Sequence, residues 1–117
     1  MPTVLELANA EVPEHVEFNS LLPLLRGERE TSSYDAIYGA YTQRQRAVIH
    51  EDYKLIAYPE AKALLLFNLA DDPYEIIDLA DDEGQQQRIH DLMQRLQNLQ
   101  QQFNDPLDLT EVFPDWF

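Results

Sequence analysis

Between Tyr34 and Leu69 the apolar residues fall into four short runs, and the breaks between the runs are only two to four residues long. Tyr34, Ala36, Tyr38 and Ala40 alternate with Asp35, Ile37, Gly39 and Tyr41, the period of a strand. A second strand is predicted over about Arg44–His50, and Glu51-Asp52 leads tightly into a third, Tyr53–Tyr58. Pro59 to Lys62 forms another hairpin loop before the run Ala63–Leu69. A parallel crossover needs a dozen residues or more, so such short breaks impose antiparallel neighbours and a four-stranded meander. Leu64-Leu65-Leu66-Phe67 is apolar at both parities, which predicts a sheet covered on both faces.

A helix is predicted over about Gly84–Phe103, where Ile89, Leu92, Met93, Leu96, Leu99 and Phe103 form one stripe and glutamines fill the remaining positions. Asp105-Pro106 stops it, and a tail with Phe113, Trp116 and Phe117 is expected to dock. Two short helices are predicted first: Thr3–Ala10, and Ser20–Gly27 with Ser20 as cap, Pro23 early and Gly27 at the end. Glu11 to Asn19 reads as a loop, and Glu28 to Ser33 as a polar linker. The fold class is therefore α+β: a four-stranded antiparallel sheet packed by a long C-terminal amphipathic helix and preceded by short N-terminal helices. The chain divides into residues 1–33 and a sheet-and-helix subdomain over 34–117.

Charge narrows the function classes. The 117 residues carry 22 acids and 8 bases, for a net charge of −14. Residues 63–117 hold twelve acids against two bases, whereas 26–62 hold six of each. Such a balance excludes a generic nucleic-acid or anionic-membrane surface, which needs lysine and arginine to displace counterions. There is no cysteine, so disulfides, thiolate metal sites and a cysteine nucleophile are excluded. No apolar run approaches the roughly 20 residues that span a bilayer, and no basic start precedes an apolar stretch. The compartment stays open on these grounds, with the cytoplasm only as the default.

No self-sufficient active site is legible. Ser20, Ser32 and Ser33 lie outside any Gly-x-Ser-x-Gly elbow, and His15, His50 and His90 are widely separated. Asp71–Glu83 is acidic, but Pro73, Ile76 and Ile77 interrupt it and no glycine sits mid-loop, so it reads as a solvated turn ahead of a helix and not a calcium loop. Arg44 and Arg46 on one strand face, with Lys54 on the next strand, suggest a cationic strip. Its alternatives are cross-strand pairing with Asp35 or Glu51 and contact with an anionic substrate, whose oxygens a guanidinium matches as a fork.

Several segments, taken in order, resemble one family. Met1-Pro-Thr-Val-Leu-Glu-Leu-Ala8, Val12-Pro13 and Ser20-Leu-Leu-Pro-Leu-Leu-Arg-Gly27 are similar to the segment closing the catalytic domain of type I, arylsulfatase-like sulfatases. Arg46-Ala-Val with Asp52-Tyr-Lys-Leu-Ile56, then Leu66-Phe67-Asn68-Leu69, Asp71-Asp72-Pro73-Tyr74-Glu75 and Asp78-Leu79-Ala80 resemble that family's C-terminal subdomain. Two positions depart: Phe18 stands where the family usually has glycine, and Asp78 replaces the usual asparagine.

The resemblance implies a C-terminal piece of a sulfuric ester hydrolase, either excised or encoded as a short reading frame, that is inactive alone. Its formylglycine nucleophile and calcium would belong to a catalytic domain absent from this chain, leaving no catalytic, cofactor-binding or metal residue here. The piece would pack against that domain and help wall the substrate cleft, with Arg44 and Arg46 as the substrate-adjacent residues. The alternative is a free-standing acidic interaction domain whose partner is protein, including its own copy. Val4, Leu5, Leu21, Leu22 and Leu25 would then form an exposed apolar patch for self-association.

Overall fold

The structure, a computed structural model, describes residues 1–16 and 18–117. It comprises two compact units, Met1–Asp35 and Ala36–Phe117.

The first unit contains helices α1 (Pro2–Leu7) and α2 (Leu22–Leu25), tied together where the Leu21 N–H donates to Thr3 Oγ1 at 3.0 Å. Both helices are shorter than the expected spans. After α1 the chain enters the left-handed region at Asn9 (φ 55°), and after α2 at Gly27 (φ 70°). In each case the next two N–H groups turn back onto the last helical carbonyls: Asn9 to Glu6 and Ala10 to Leu5, then Gly27 to Leu24 and Glu28 to Pro23. This arrangement satisfies acceptors that a helix end otherwise leaves open. The N-cap of α2 is Leu21 and not Ser20; Ser20 stands one residue earlier, where its Oγ accepts from the Leu22 N–H at 3.1 Å in a local turn. The described part of the loop expected over Glu11–Asn19 is irregular; Glu17 lies outside the described residues. The predicted apolar patch is only partly exposed: Val4, Leu21 and Leu25 face solvent, Leu5 is half-buried, and Leu22 is buried.

The second unit is the predicted meander and helix. Strands β1 (Ala36–Tyr41), β2 (Gln45–His50), β3 (Tyr53–Tyr58) and β4 (Ala63–Asn68) form one antiparallel sheet in the order β1-β2-β3-β4. Tyr34 lies outside β1 because its groups are used locally: its N–H donates to Ser32 Oγ and its hydroxyl accepts from the Asn19 N–H. Arg44 lies outside β2 because Tyr41 pairs with Gln45, leaving Thr42–Arg44 as the connection.

A 3-10 turn (Glu83–Gln85), capped by Asp82 through the Gly84 N–H, leads into helix α3 (Gln86–Gln102). Asn104 (φ 51°) ends α3 with the same turned-back bonds, Asn104 to Gln101 and Asp105 to Gln100.

Register aligns Tyr38, Val48, Leu55 and Leu66 across the four strands on one face. Onto that row pack Ile89, Leu92, Met93 and Leu96 of α3, all buried. The tail completes this core: Leu109 and Phe113 are buried in it, and Trp116 and Phe117 pack against it. Beyond β4, Asp78 and Leu79 cover the sheet edge. The Leu66 N–H donates to Asp78 Oδ1 at 2.9 Å and the Leu79 N–H to the Leu66 carbonyl at 2.8 Å, closing an edge open to unwanted pairing.

Candidate functional site

Arg44 and Arg46 occupy different environments. Arg44 lies in the β1–β2 turn and is exposed. Arg46 shares strand parity with Val48 and so points toward α3, where it is only 4% exposed. A buried guanidinium needs a counter-charge and partners for its donors. Asp105, just past the end of α3, supplies the charge: Arg46 Nε and Nη2 donate to its two oxygens, the latter bond at 2.8 Å. Arg46 Nη1 donates to the carbonyls of Thr42 and Gln45 at 2.7 and 2.8 Å. Asp105 also accepts from the Tyr38 hydroxyl, from Gln100 Nε2 at 3.2 Å and from the Leu107 N–H at 3.1 Å.

The electrostatics follow from these contacts. The Arg46 guanidinium, helped by Tyr38, Leu107 and Gln100, holds the Asp105 carboxyl well below the usual carboxylate range against the opposing effect of burial. Arg46 is in turn raised above its ordinary value, chiefly by the bond to Asp105. Burial, and then the hydrogen bond to Asp105, push the Tyr38 hydroxyl above the usual phenol value. The group is a closed ion pair whose donors and acceptors face one another.

The expected strip of Arg44, Arg46 and Lys54 does not form. Lys54 pairs with Ile49 in register, which puts it on the sheet face opposite Arg46. There its ammonium meets both oxygens of Glu75 at 2.7 and 2.8 Å. Sequence reasoning expected Asp35 or Glu51 as the cross-strand acids. Asp105 and Glu75 are the acids these two cations meet, 59 and 21 residues away in sequence.

In the acidic stretch 71–83, Glu75 meets Lys54, Asp71 accepts from Asn68 Nδ2, and Asp72 and Asp78 accept from backbone N–H groups. Asp72 Oδ2 accepts from the N–H groups of Ile76 and Ile77 at 2.7 and 2.8 Å, and Asp78 Oδ1 from Leu66 and Ala80 at 2.9 and 3.0 Å. An asparagine carbonyl would accept these last two bonds equally well. Among the described residues no group of three His, Asp or Glu side chains is placed to hold a metal ion.

The sheet face away from α3 is the other feature of note. It carries Ile37, Ala47, Ile49, Ile56, Leu65 and Phe67; Ile56 and Phe67 are buried, but Ile37 is 58% exposed. Ile37, Gly39, Tyr41, Ala47, Ile49 and Lys54 line a hollow of about 310 Å³ on it. Tyr74, Ile76 and Ile77, in the loop after β4, are also exposed.

Comparison with known proteins places these features. Residues 1–102 match the family described as N-sulphoglucosamine sulphohydrolase, C-terminal. The chain is 28% identical over 111 residues to an uncharacterised protein of Haemophilus influenzae, covering 91% of this chain and 56% of that protein. Its fold is similar to that of a Bacteroides thetaiotaomicron protein described as a sulfatase (27% identity, TM-score 0.78), over 89% of this chain and 24% of the other. A 2-O GAG sulfatase is similar at 25% identity and TM-score 0.77, over 92% and 26% of the two chains. A third structure, solved with its substrate D-glucosamine-2-N,6-O-disulfate, is similar at 27% identity and TM-score 0.75, over 90% and 24%. The chain thus spans about half the length of the curated relative and about a quarter of the sulfatases. With its meander, long covering helix and edge-closing Asp78-Leu79-Ala80 segment, it belongs to the C-terminal family of N-sulphoglucosamine sulphohydrolase and has the fold of a sulfatase C-terminal subdomain.

Proposed function

We propose that this chain is the supporting lobe of a sulfuric ester hydrolase, non-catalytic by itself. The lobe docks its second sheet face on a catalytic domain and helps wall the substrate cleft. The observation that carries this is the hollow beside exposed Ile37, an apolar surface on a sheet whose other face is already closed by α3. Burying apolar surface supplies about 25 cal/mol per Å², so a matching domain stabilises both partners. Residues 1–33 supply the end of the catalytic domain and its linker. Arg44, exposed in the β1–β2 turn, is the substrate-adjacent cation, whereas the Arg46 side chain is buried. Nucleophile and calcium belong to the catalytic domain.

The test is an assay of the isolated chain with an aryl sulfate and calcium. No turnover above background is expected, and turnover would overturn the assignment. Reading the coding sequence upstream adds a second check: an in-frame Cys- or Ser-x-Pro-x-Arg motif is expected there.

Self-association of a free-standing lobe is the alternative, favoured by exposed Val4, Leu7 and Leu25 on the first unit. Sedimentation at micromolar concentration separates the two, since a strictly monomeric chain excludes this pairing.

A further inference from the structure

We infer that Arg46 and Asp105 are positioning residues: they clamp the Thr42–Arg44 turn in a strained shape and so set the direction in which Arg44 is presented. This rests on the proposal that the turn is substrate-adjacent, but it can be tested apart from it.

The starting observation is Thr42, which sits at φ 48°. A β-branched residue is a true outlier in the left-handed region, where the second substituent on Cβ crowds the backbone. Such a conformation persists only where its surroundings over-determine it, and such outliers concentrate at functional sites. Here the surroundings are specific. The Thr42 carbonyl accepts from Arg46 Nη1, the same nitrogen holds the Gln45 carbonyl on the far side of the turn, and the Arg44 N–H closes onto the Tyr41 carbonyl at 3.1 Å. One planar guanidinium therefore grips both ends of the three-residue connection while its remaining edge is fixed by Asp105. The other hairpin connections also contain a positive φ, at Glu51 and Lys62, but neither residue is β-branched.

The clamp has a second consequence. Asp105 lies beyond residue 102, where the family match ends, yet it is held by Gln100 and Tyr38 and by the Leu107 backbone. Gln100 also donates to the Leu107 carbonyl at 2.7 Å, which secures the strap that carries Asp105. The turn's shape is thus set from the tail. Change in the tail then re-aims the turn without touching it, a route to altered specificity.

The experiment is site-resolved amide exchange on the full chain, with the Lys62 amide of the β3–β4 turn and the α3 amides as internal references. Arg46→Lys keeps the charge but cannot bridge two carbonyls and a carboxylate, and Asp105→Asn removes the counter-charge. Each is expected to speed exchange at the Arg44 amide at least tenfold more than at the references, which report the loss of global stability. Thr42→Asn, which tolerates the left-handed region, is expected to restore much of that protection in the Asp105→Asn background. A purely structural role for the pair predicts uniform acceleration and no such rescue, and that result overturns the inference. Should the variants fail to fold, the unaltered chain still decides: the Arg44 amide and the Arg46 Nε–H are expected to open together across a denaturant series. An Arg44 amide exchanging a hundredfold faster than Arg46 Nε–H overturns the clamp. Titration with D-glucosamine-2-N,6-O-disulfate addresses the other premise. An Arg44 signal that does not move argues against a substrate-adjacent turn while the exchange data stand.

Discussion

The two faces of the sheet are made of similar residues and end in different states. The face toward α3 carries Val48, Leu55, Ala57 and Leu66, all buried, and α3 together with Leu109 and Phe113 of the tail closes it. The opposite face carries Ile37, Ala47, Ile49, Ile56 and Leu65, and a hollow runs along its β1–β2 side. Composition alone does not distinguish them. What differs is how far this chain supplies the cover: Ile56 and Phe67 of the second face are buried, but its β1–β2 side, with Ile37, is not. An apolar row becomes core only when something excludes water from it. The first face is finished from within, and its mutations should report on folding. The second face should report on a partner.

The sharpest contrast comes from the ion pair at the end of the closed face. Removing one partner of a buried pair leaves an uncompensated charge, at a cost of about 3–5 kcal/mol. Arg46→Ala is expected to lower the unfolding free energy by that order, and Lys54→Ala, on the other face with a half-exposed acid partner, by about 1 kcal/mol or less. Urea unfolding of both variants measures the difference; equal losses would dissolve the distinction between the faces.

Next in size is a cavity in the hydrophobic row. Leu96→Ala is expected to cost about 2–5 kcal/mol because α3 and the strands relax only partly around the void. Ile37→Thr, on the open face, is expected to change stability by about 0.5 kcal/mol or less. The same substitution should nevertheless weaken docking of a catalytic domain. A large stability loss from Ile37→Thr in the isolated chain would mean that this face, too, is completed from within.

Legibility followed a similar division. The meander and α3 were readable because period and short connections depend on neighbours in sequence, and β3 falls on the expected Tyr53–Tyr58. Helix ends at Asn9 and Asn104 were overrun by one or more residues, since a left-handed asparagine leaves no break in an apolar period. The site was far less readable. Arg46 alternates with Val48, and a cation at a core-facing position signals that a buried partner exists. Nothing local identifies that partner as Asp105, which in sequence is only the acid before a helix-stopping proline. Gln100 carried a signal of the same kind: four residues after Leu96 and seven after Met93, it is a polar residue on the buried stripe of α3, but nothing local identifies Asp105 and the Leu107 carbonyl as its partners. Long-range pairing is set by topology after the strands and helix have formed.

The pH dependence of the Arg46–Asp105 pair is the most selective effect, because it isolates Asp105 from the rest of the acidic surface. Its folded pKa lies below the ordinary value, so near that value the unfolded chain binds the proton more readily than the folded chain does. Stability from this group is therefore complete above about pH 4 and is lost progressively as the pH falls below it. Asp105→Asn is expected to be less stable than the parent at pH 7, with the gap narrowing toward pH 3. Tyr38 has the opposite sign: its pKa is raised, so its contribution is present below about pH 10 and fades as the pH climbs past it. Tyr38→Phe should then lie below the parent at neutral pH and approach it in alkali. Denaturation midpoints taken from pH 3 to pH 11 test both limbs. If the Asp105→Asn gap were the same at pH 3 and pH 7, the aspartate would be held by shape and hydrogen bonds alone, and the closed face would owe nothing to its buried charge.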